Sequence, residues 1–243
     1  MGERLAVVTG ASSGIGAAVA DRLASAGWRL VVVGRDRERL AAVAARTGGR
    51  PVVADLRTAA GVAAVCAAGP DTALLVHAAG VGAAGPLPDL PVAVLTELLA
   101  VNLAAPIRLT RALLPGLRDR GGHVVFVSSI AALGVADEAA YTATKAGLRG
   151  FADALRAEGQ VAVTTILPGA VATPFFARRG RAYARRFPRA VPPYRVAAAL
   201  VDGVRRNRAE VFVPRWLALA ARVHGLAPGL FARLSRSERT SCR

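Results

Sequence analysis

Two kinds of apolar segment alternate along the chain. Short runs with little polar interruption, Leu5–Thr9, Leu30–Val33, Pro51–Ala54, Ala73–His77, His123–Val127, Val161–Leu167 and Glu210–Val213, are rich in Val, Leu and Ala, as expected of strands buried on both faces. Between them lie longer stretches in which apolar residues recur every three or four positions, as in Ala140–Glu158, the period of a helix with one face in a core. Strands that alternate with helices predict βαβ units and a parallel sheet. Seven of them predict an α/β fold with a doubly wound sheet, helices on both faces, and ligands at the carboxyl ends of the strands near the switch point. No linker-like shift in composition and no internal repeat divides the chain, so residues 1–243 read as one domain. The irregular stretch 170–193, rich in Arg, Pro and Phe, is expected above the strand ends as a substrate loop. Residues 214–236 mix apolar residues and arginines and read as a C-terminal helical segment.

The first chemical motif falls where the first strand meets the first helix. "TGASSGIG", Thr9–Gly16, carries glycines at 10, 14 and 16. A pyrophosphate needs close approach to backbone amides at the positive end of a helix, and glycine supplies that access. A Gly-rich turn alone would be ambiguous, but a strand before it and a helix after it point to a nucleotide.

The end of the second strand bears on which nucleotide. An acid about 20 residues beyond such a loop holds a ribose 2′-hydroxyl, whereas an arginine suits a 2′-phosphate. Here the chain reads "VVVGRDRERL", with Gly34 and then Arg35 after Val33. Arg35 offers a planar fork for phosphate and favours NADP(H); Asp36 is the competing residue. Asp55, after the third strand, suits either an adenine amine or the cap of the following helix.

Of 32 basic residues only Lys145 is lysine. It stands four after Tyr141, so a helix over Ala140–Glu158 sets the two on one face a turn apart. A phenol with pKa near 10 is a poor proton donor at pH 7, and moving it about three units takes roughly 4 kcal/mol, which a nearby ammonium in a dry site can help supply. Arginine brings charge but not a compact ammonium with rotatable protons. Asn102 is one of two asparagines, Ser128 and Ser129 follow an apolar strand, and Thr173 stands after the sixth strand beside "PG".

With these residues in place the chain resembles the short-chain dehydrogenase/reductase family. The resemblance rests on "TGASSGIG", "DL" (Asp55–Leu56), "HAAG" (His77–Gly80), Asn102 in "VNLAAPIRLT", "VVFVSSIAAL" (Val124–Leu133), "YTATK" (Tyr141–Lys145) and "PGAVATPF" (Pro168–Phe175). It implies a seven-stranded Rossmann-like fold and hydride transfer between a nicotinamide and a carbonyl or alcohol carbon. It also implies catalytic roles: Tyr141 the general acid, Lys145 the ribose ligand that lowers the phenol pKa, Asn102 the anchor of a relay water, and Ser129 the hydroxyl that orients the substrate oxygen. Ser128 remains the alternative serine, because the family interval to tyrosine is thirteen residues and Ser129 stands twelve before Tyr141. The resemblance lays NADP(H) along Gly10, Ser12, Ser13, Gly14, Ile15, Gly16, Arg35, Asp55, Leu56, Ala79, Gly80, Asn102, Tyr141, Lys145, Pro168, Gly169, Val171 and Thr173. Two departures stand out: His77 and Ala78 occupy positions where the family has asparagines, and the serine to tyrosine interval is short.

Composition narrows the remaining classes. Hydrophobic residues make up 53% and charged residues 20%, which excludes a disordered chain. Cys66 and Cys242 lack metal-ligand spacing, and two cysteines do not make a disulfide framework. No metal is expected. His77, at a strand end, is expected to be packed or hydrogen-bonded. With no basic leader at the start, the expected location is cytoplasmic and reducing. The formal charge of +16 is concentrated at one end: residues 178–243 hold 16 arginines and three acids. That end fits an anionic membrane surface, with peripheral association, or an acidic carrier protein; nucleic acid fits least. The expected substrate is a small hydrophobic carbonyl or alcohol, met by Phe175, Phe176, Tyr183 and Trp216, and the expected assembly is a homo-oligomer. Two other classes compete: a nucleotide-sensing scaffold of the same fold, which would be expected to lose part of the Asn, Ser, Tyr and Lys set, and a polyanion-binding protein.

Overall fold

The computed structural model describes residues 4–181, 183 and 188–229. In chain order the elements are β1 (Leu5–Thr9), α1 (Gly14–Ala24), β2 (Arg29–Gly34), α2 (Arg37–Thr47), β3 (Arg50–Val53), α3 (Ala59–Ala68), β4 (Thr72–His77), α4 (Val92–Leu99), α5 (Ala105–Asp119), β5 (His123–Val127), α6 (Ala139–Ala157), β6 (Ala162–Pro168), α7 (Phe175–Arg178), α8 (Pro193–Arg205), β7 (Glu210–Val213) and α9 (Leu217–Leu226). All seven strands expected from the pattern are present, each within a residue or so of its expected bounds. They form one sheet in the order β3-β2-β1-β4-β5-β6-β7, parallel throughout. This is a Rossmann-like doubly wound fold, and its order reverses between β1 and β4.

The period of two along each strand divides the core. Ala6 and Val8 point into a cluster with Val19 and Leu23 of α1 and Val196 and Leu200 of α8. Val7 points the other way, into a cluster with Leu109, Leu113 and Leu117 of α5, Phe126, and Leu148 of α6. Burying each such leucine side chain contributes about 1.5–3 kcal/mol, so both helical layers are held chiefly by these contacts. Local chemistry sets helix ends. Asp36 caps α2 by accepting from the Arg39 amide at 2.9 Å, and α2 stops at Gly48, whose φ of +65° is left-handed.

Two features go beyond the sequence expectations. First, α4 and α5 run together through a π-helical segment, Ala100–Ala104, into a helix of 28 residues, Val92–Asp119. It is long and apolar enough to cross a membrane, yet its Leu98, Leu109, Leu113 and Leu117 are buried against the rest of the fold, as a helix joining adjacent strands requires. Second, the 170–193 loop contains the single turn α7 and a bridge between Val171 and Val191, with Val191 N donating to Ala170 O at 2.9 Å. Of the C-terminal segment expected over 214–236, α9 covers Leu217–Leu226, and positions 230–236 lie outside the described residues.

Candidate active site

A single cleft of about 1770 Å³ opens at the carboxyl ends of the strands. At its floor Thr9, the last residue of β1, pairs with His77 in register. The Thr9 hydroxyl accepts from the amides of Ala78 and Ala79, both at 3.2 Å, and so pins the loop after β4 against the loop after β1. His77 is buried, stacks on Phe126 at 5.0 Å and shares a 2.8 Å hydrogen bond with Thr110. Burial pulls its pKa down to about 3, so it is a packed neutral residue, as expected.

The glycines of Thr9–Gly16 are dictated by contact. Gly10 has φ +68°, and a Cβ there would stand 2.7 Å from Ala79 backbone; at Gly16 a Cβ would stand 2.3 Å from the Gly10 carbonyl oxygen. Ser13 is the N-cap residue of α1, yet its side chain caps no amide. The first turn of α1 therefore faces the cleft with backbone donors unspent, a cradle suited to a pyrophosphate.

At the adenosine end Arg35 lines the cleft and donates to Glu97 at 3.2 Å. Asp36, the competing residue, is committed to its cap and to the Arg39 guanidinium at 2.6 Å. The helix-cap role for Asp55 is corrected by the structure. Thr58 caps α3 by accepting from the Gly61 amide at 3.0 Å, while Asp55 pairs with Arg57 at 2.6 Å, which holds its carboxyl below the usual range.

The reacting end is built by α6. Tyr141 and Lys145 share its buried face. Ser129 lines the cleft beside Tyr141 and slightly opposes the rise of its pKa, while its hydroxyl accepts from the Ala131 amide at 3.0 Å. The Ser128 hydroxyl instead donates to the Lys145 carbonyl at 2.9 Å, away from the phenol. Lys145 Nζ donates to the Val127 carbonyl at 3.0 Å and lies 5.8 Å from the centre of the Tyr141 ring. Gly80 stands between Lys145 and Asn102: a Cβ there would lie 3.4 Å from Asn102 Oδ1 and 3.6 Å from Lys145 Nζ.

Asn102 is fully buried, and its side chain does not line the cleft. Its Oδ1 accepts from the Val81 amide at 2.9 Å, and its Nδ2 donates to the Val81 carbonyl at 2.9 Å and to Thr144 at 3.2 Å. It sits in the π-helical segment, and such segments recur at functional sites. Burial raises the Tyr141 pKa above its ordinary value and Glu138 adds to the rise, against smaller opposing effects of Ser129 and Arg179. Burial also lowers Lys145 to about 8, because removing water disfavours the charged form of each group.

The opposite wall is apolar. Phe175, Phe176, Tyr183 and Trp216 all line the cleft, as expected, together with Leu217 and Leu219 of α9. Phe175 packs on Tyr141 at 5.7 Å, and Thr173 rests on Gly14, which ties the loop after β6 to the start of α1. Of the expected cofactor residues all but Gly16 and Asn102 line this cleft. Arg39, Arg178, Arg179 and Arg181 also line the cleft and were not singled out from the sequence, since 31 arginines leave no single one conspicuous.

A glycine cradle at a sheet switch point, a buried Tyr141–Lys145 pair with Ser129 beside it, and an apolar wall share one cleft, an arrangement suited to a nucleotide and an apolar ligand. Comparison with known proteins gives the family. Residues 4–184 match the short chain dehydrogenase family, and the chain belongs to the short-chain dehydrogenase/reductase family. It is 32% identical to mouse dehydrogenase/reductase SDR family member 7B over 97% of this chain and 82% of that protein. The zebrafish protein of the same name is 33% identical over 70% of this chain, and the match spans 62% of that protein's length. Among solved structures, a short-chain dehydrogenase from Sphingobium yanoikuyae in complex with NADPH superposes with TM-score 0.82 at 29% identity, over 93% of this chain and 96% of that one. A bulky-bulky ketone specific alcohol dehydrogenase from Comamonas testosteroni superposes with TM-score 0.78 at 25% identity, over 94% and 95%.

Proposed function

We propose that this chain is an NADP(H)-dependent oxidoreductase acting on a hydrophobic carbonyl or alcohol. The observation that carries the reading is that Tyr141, Lys145 and Ser129 line one cleft with the glycine cradle at one end and the Phe175, Phe176 and Trp216 wall at the other. When bound, the nicotinamide supplies or accepts the hydride. Tyr141 donates the proton to the carbonyl oxygen in reduction and takes it back in oxidation; Ser129 donates a hydrogen bond that orients that oxygen. Lys145 holds ribose hydroxyls, and its ammonium, drawn from the Val127 carbonyl toward the phenol, favours the phenolate. Asn102 is a positioning residue that braces Val81 and Thr144. The phenyl wall excludes water and accepts an apolar substrate.

Cofactor preference follows from Arg35 at the end of β2 and the commitment of Asp36 to Arg39. Two solved relatives, the Sphingobium enzyme and an actinorhodin polyketide ketoreductase variant, are in complex with NADPH. Association with itself is also proposed, and light scattering tests it. The decisive experiment follows absorbance loss from NADPH and from NADH with ketones, aldehydes and acyl thioesters of graded size. Turnover of apolar ketones with NADPH supports the reading; turnover with NADH alone overturns the cofactor, and none with either overturns the function.

A further inference from the structure

The loop on the substrate side sends one arginine back across the cleft. Arg178, the last residue of α7, donates through Nη2 to the Ser13 hydroxyl at 3.0 Å, across 165 residues of sequence. Its Nε reaches only the Pro174 carbonyl at 3.4 Å. Ser13 is the N-cap of α1 with a hydroxyl that caps nothing, so this contact belongs to the edge of the nucleotide cradle.

Four arginines gather at this end, and three are answered. Arg35 meets Glu97, Arg39 meets Asp36 and Arg57 meets Asp55. Arg178 makes no ion pair among the described residues. Arg35, Arg39 and Arg178 all line the cleft. Partial burial and then the charges of Arg39 and Arg35 lower the Arg178 pKa, opposed only by Asp36. A guanidinium held among like charges is stabilised by an anion placed between them, and its fork keeps donors to spare after serving Ser13.

We propose that Arg178 is a specificity residue of the nucleotide site, contacting the phosphate monoester on the 2′ carbon of the adenosine ribose together with Arg35. This rests on the NADP(H) reading above. A phosphate monoester carries about −1.5 to −2 charges at pH 7 and matches the surplus cation. The pyrophosphate, with one charge per phosphorus, lies at the glycine cradle instead.

The test titrates the whole chain with NADPH, NADH, 2′,5′-ADP and 5′-AMP by calorimetry, in the wild type, Arg178→Met and Arg178→Lys. Arg195→Met, the same charge change on an exposed residue of α8, serves as control. Arg178→Met is expected to weaken NADPH and 2′,5′-ADP by about ten- to fiftyfold while changing NADH and 5′-AMP less than about twofold. Arg178→Lys should recover part of the loss, having charge without the fork. Unchanged NADPH affinity in Arg178→Met, or an equal loss in Arg195→Met, overturns the proposal. Equal losses for NADPH and NADH also overturn it, by assigning Arg178 to the pyrophosphate. A wild type that binds NADH in preference, or neither nucleotide, overturns the cofactor reading itself and this inference with it.

Discussion

Arg179 and Glu138 form an ion pair whose side chains are only 8% and 13% exposed, and it closes a ring of contacts around the reacting phenol. The Arg179 guanidinium lies 4.6 Å over Phe176, Phe176 packs edge-on to Phe175 at 5.7 Å, and Phe175 packs on Tyr141. Glu138 is the N-cap residue of the helix that carries Tyr141. The pair therefore clasps the substrate loop to the catalytic helix, and its two charges act on the phenol with opposite sign.

Removing one charge at a time should separate those effects. Glu138 raises the Tyr141 pKa and Arg179 lowers it. In alcohol oxidation, where the phenolate is the base, the rate rises as pH passes the Tyr141 pKa. Arg179→Met should move that rise to higher pH and Glu138→Gln to lower pH, with Glu138→Gln/Arg179→Met in between. Arg179→Met should also cost kcat/KM more than tenfold, because a lone carboxylate stays buried beside the site. Identical pH profiles in all four proteins would refute the coupling.

The two serines should part company. Ser129→Ala removes the hydroxyl at Tyr141 and should lower kcat by about 10²-fold or more. Ser128→Ala loses a hydrogen bond to the Lys145 carbonyl and should lower stability by about 1 kcal/mol with a smaller kinetic effect. Denaturant titration beside steady-state kinetics checks both, and the reverse pattern would assign the role to Ser128.

Tyr141→Phe should abolish turnover, by about 10²–10⁴-fold, and leave NADPH affinity nearly unchanged. Lys145→Arg should fail despite its charge, because a guanidinium does not fit the compact site at the Val127 carbonyl. Activity near the wild-type level in Lys145→Arg would contradict the role given to the one lysine.

Arg35 and Glu97 should oppose one another in cofactor choice. Arg35→Ala is expected to weaken NADPH by about ten- to a hundredfold and NADH little. Glu97→Gln frees Arg35 and Arg57 from a shared carboxylate and should tighten NADPH. Nucleotide titrations of each variant read this directly, and an unchanged NADPH to NADH ratio in Arg35→Ala would place the phosphate elsewhere.

Two buried histidines should make the fold acid-sensitive. His77 is held neutral down to about pH 3 and His123 down to about pH 4, whereas both protonate near 6.5 once unfolded. The unfolded chain then binds more protons, so stability falls as pH drops below about 6.5, approaching 1.4 kcal/mol per unit for each histidine. Denaturant unfolding between pH 7 and 5 should show that slope, and His77→Asn should remove about half of it. An undiminished slope in His77→Asn would show that other groups dominate.

The sequence by itself determined the parallel sheet, its seven strands and the helix that carries Tyr141 and Lys145. These follow from short-range periodicity: a strand buried on both faces must be apolar throughout, and a helix with one buried face must repeat every three to four residues. The glycine loop was legible for the same reason, since a close backbone approach excludes any other residue. Tertiary structure alone decided what the side chains do with one another. Nothing local in Asn102 shows that its amide is spent on Val81 and Thr144 within a π-helical segment, or that the Ser128 hydroxyl turns to the Lys145 carbonyl while that of Ser129 takes the Ala131 amide. The arginines are the extreme case: Arg178 and Arg179 are neighbours in sequence, but one crosses to Ser13 and the other to Glu138. A long charged side chain takes its partner from whatever the fold brings within reach, and that choice is made between residues far apart in the chain.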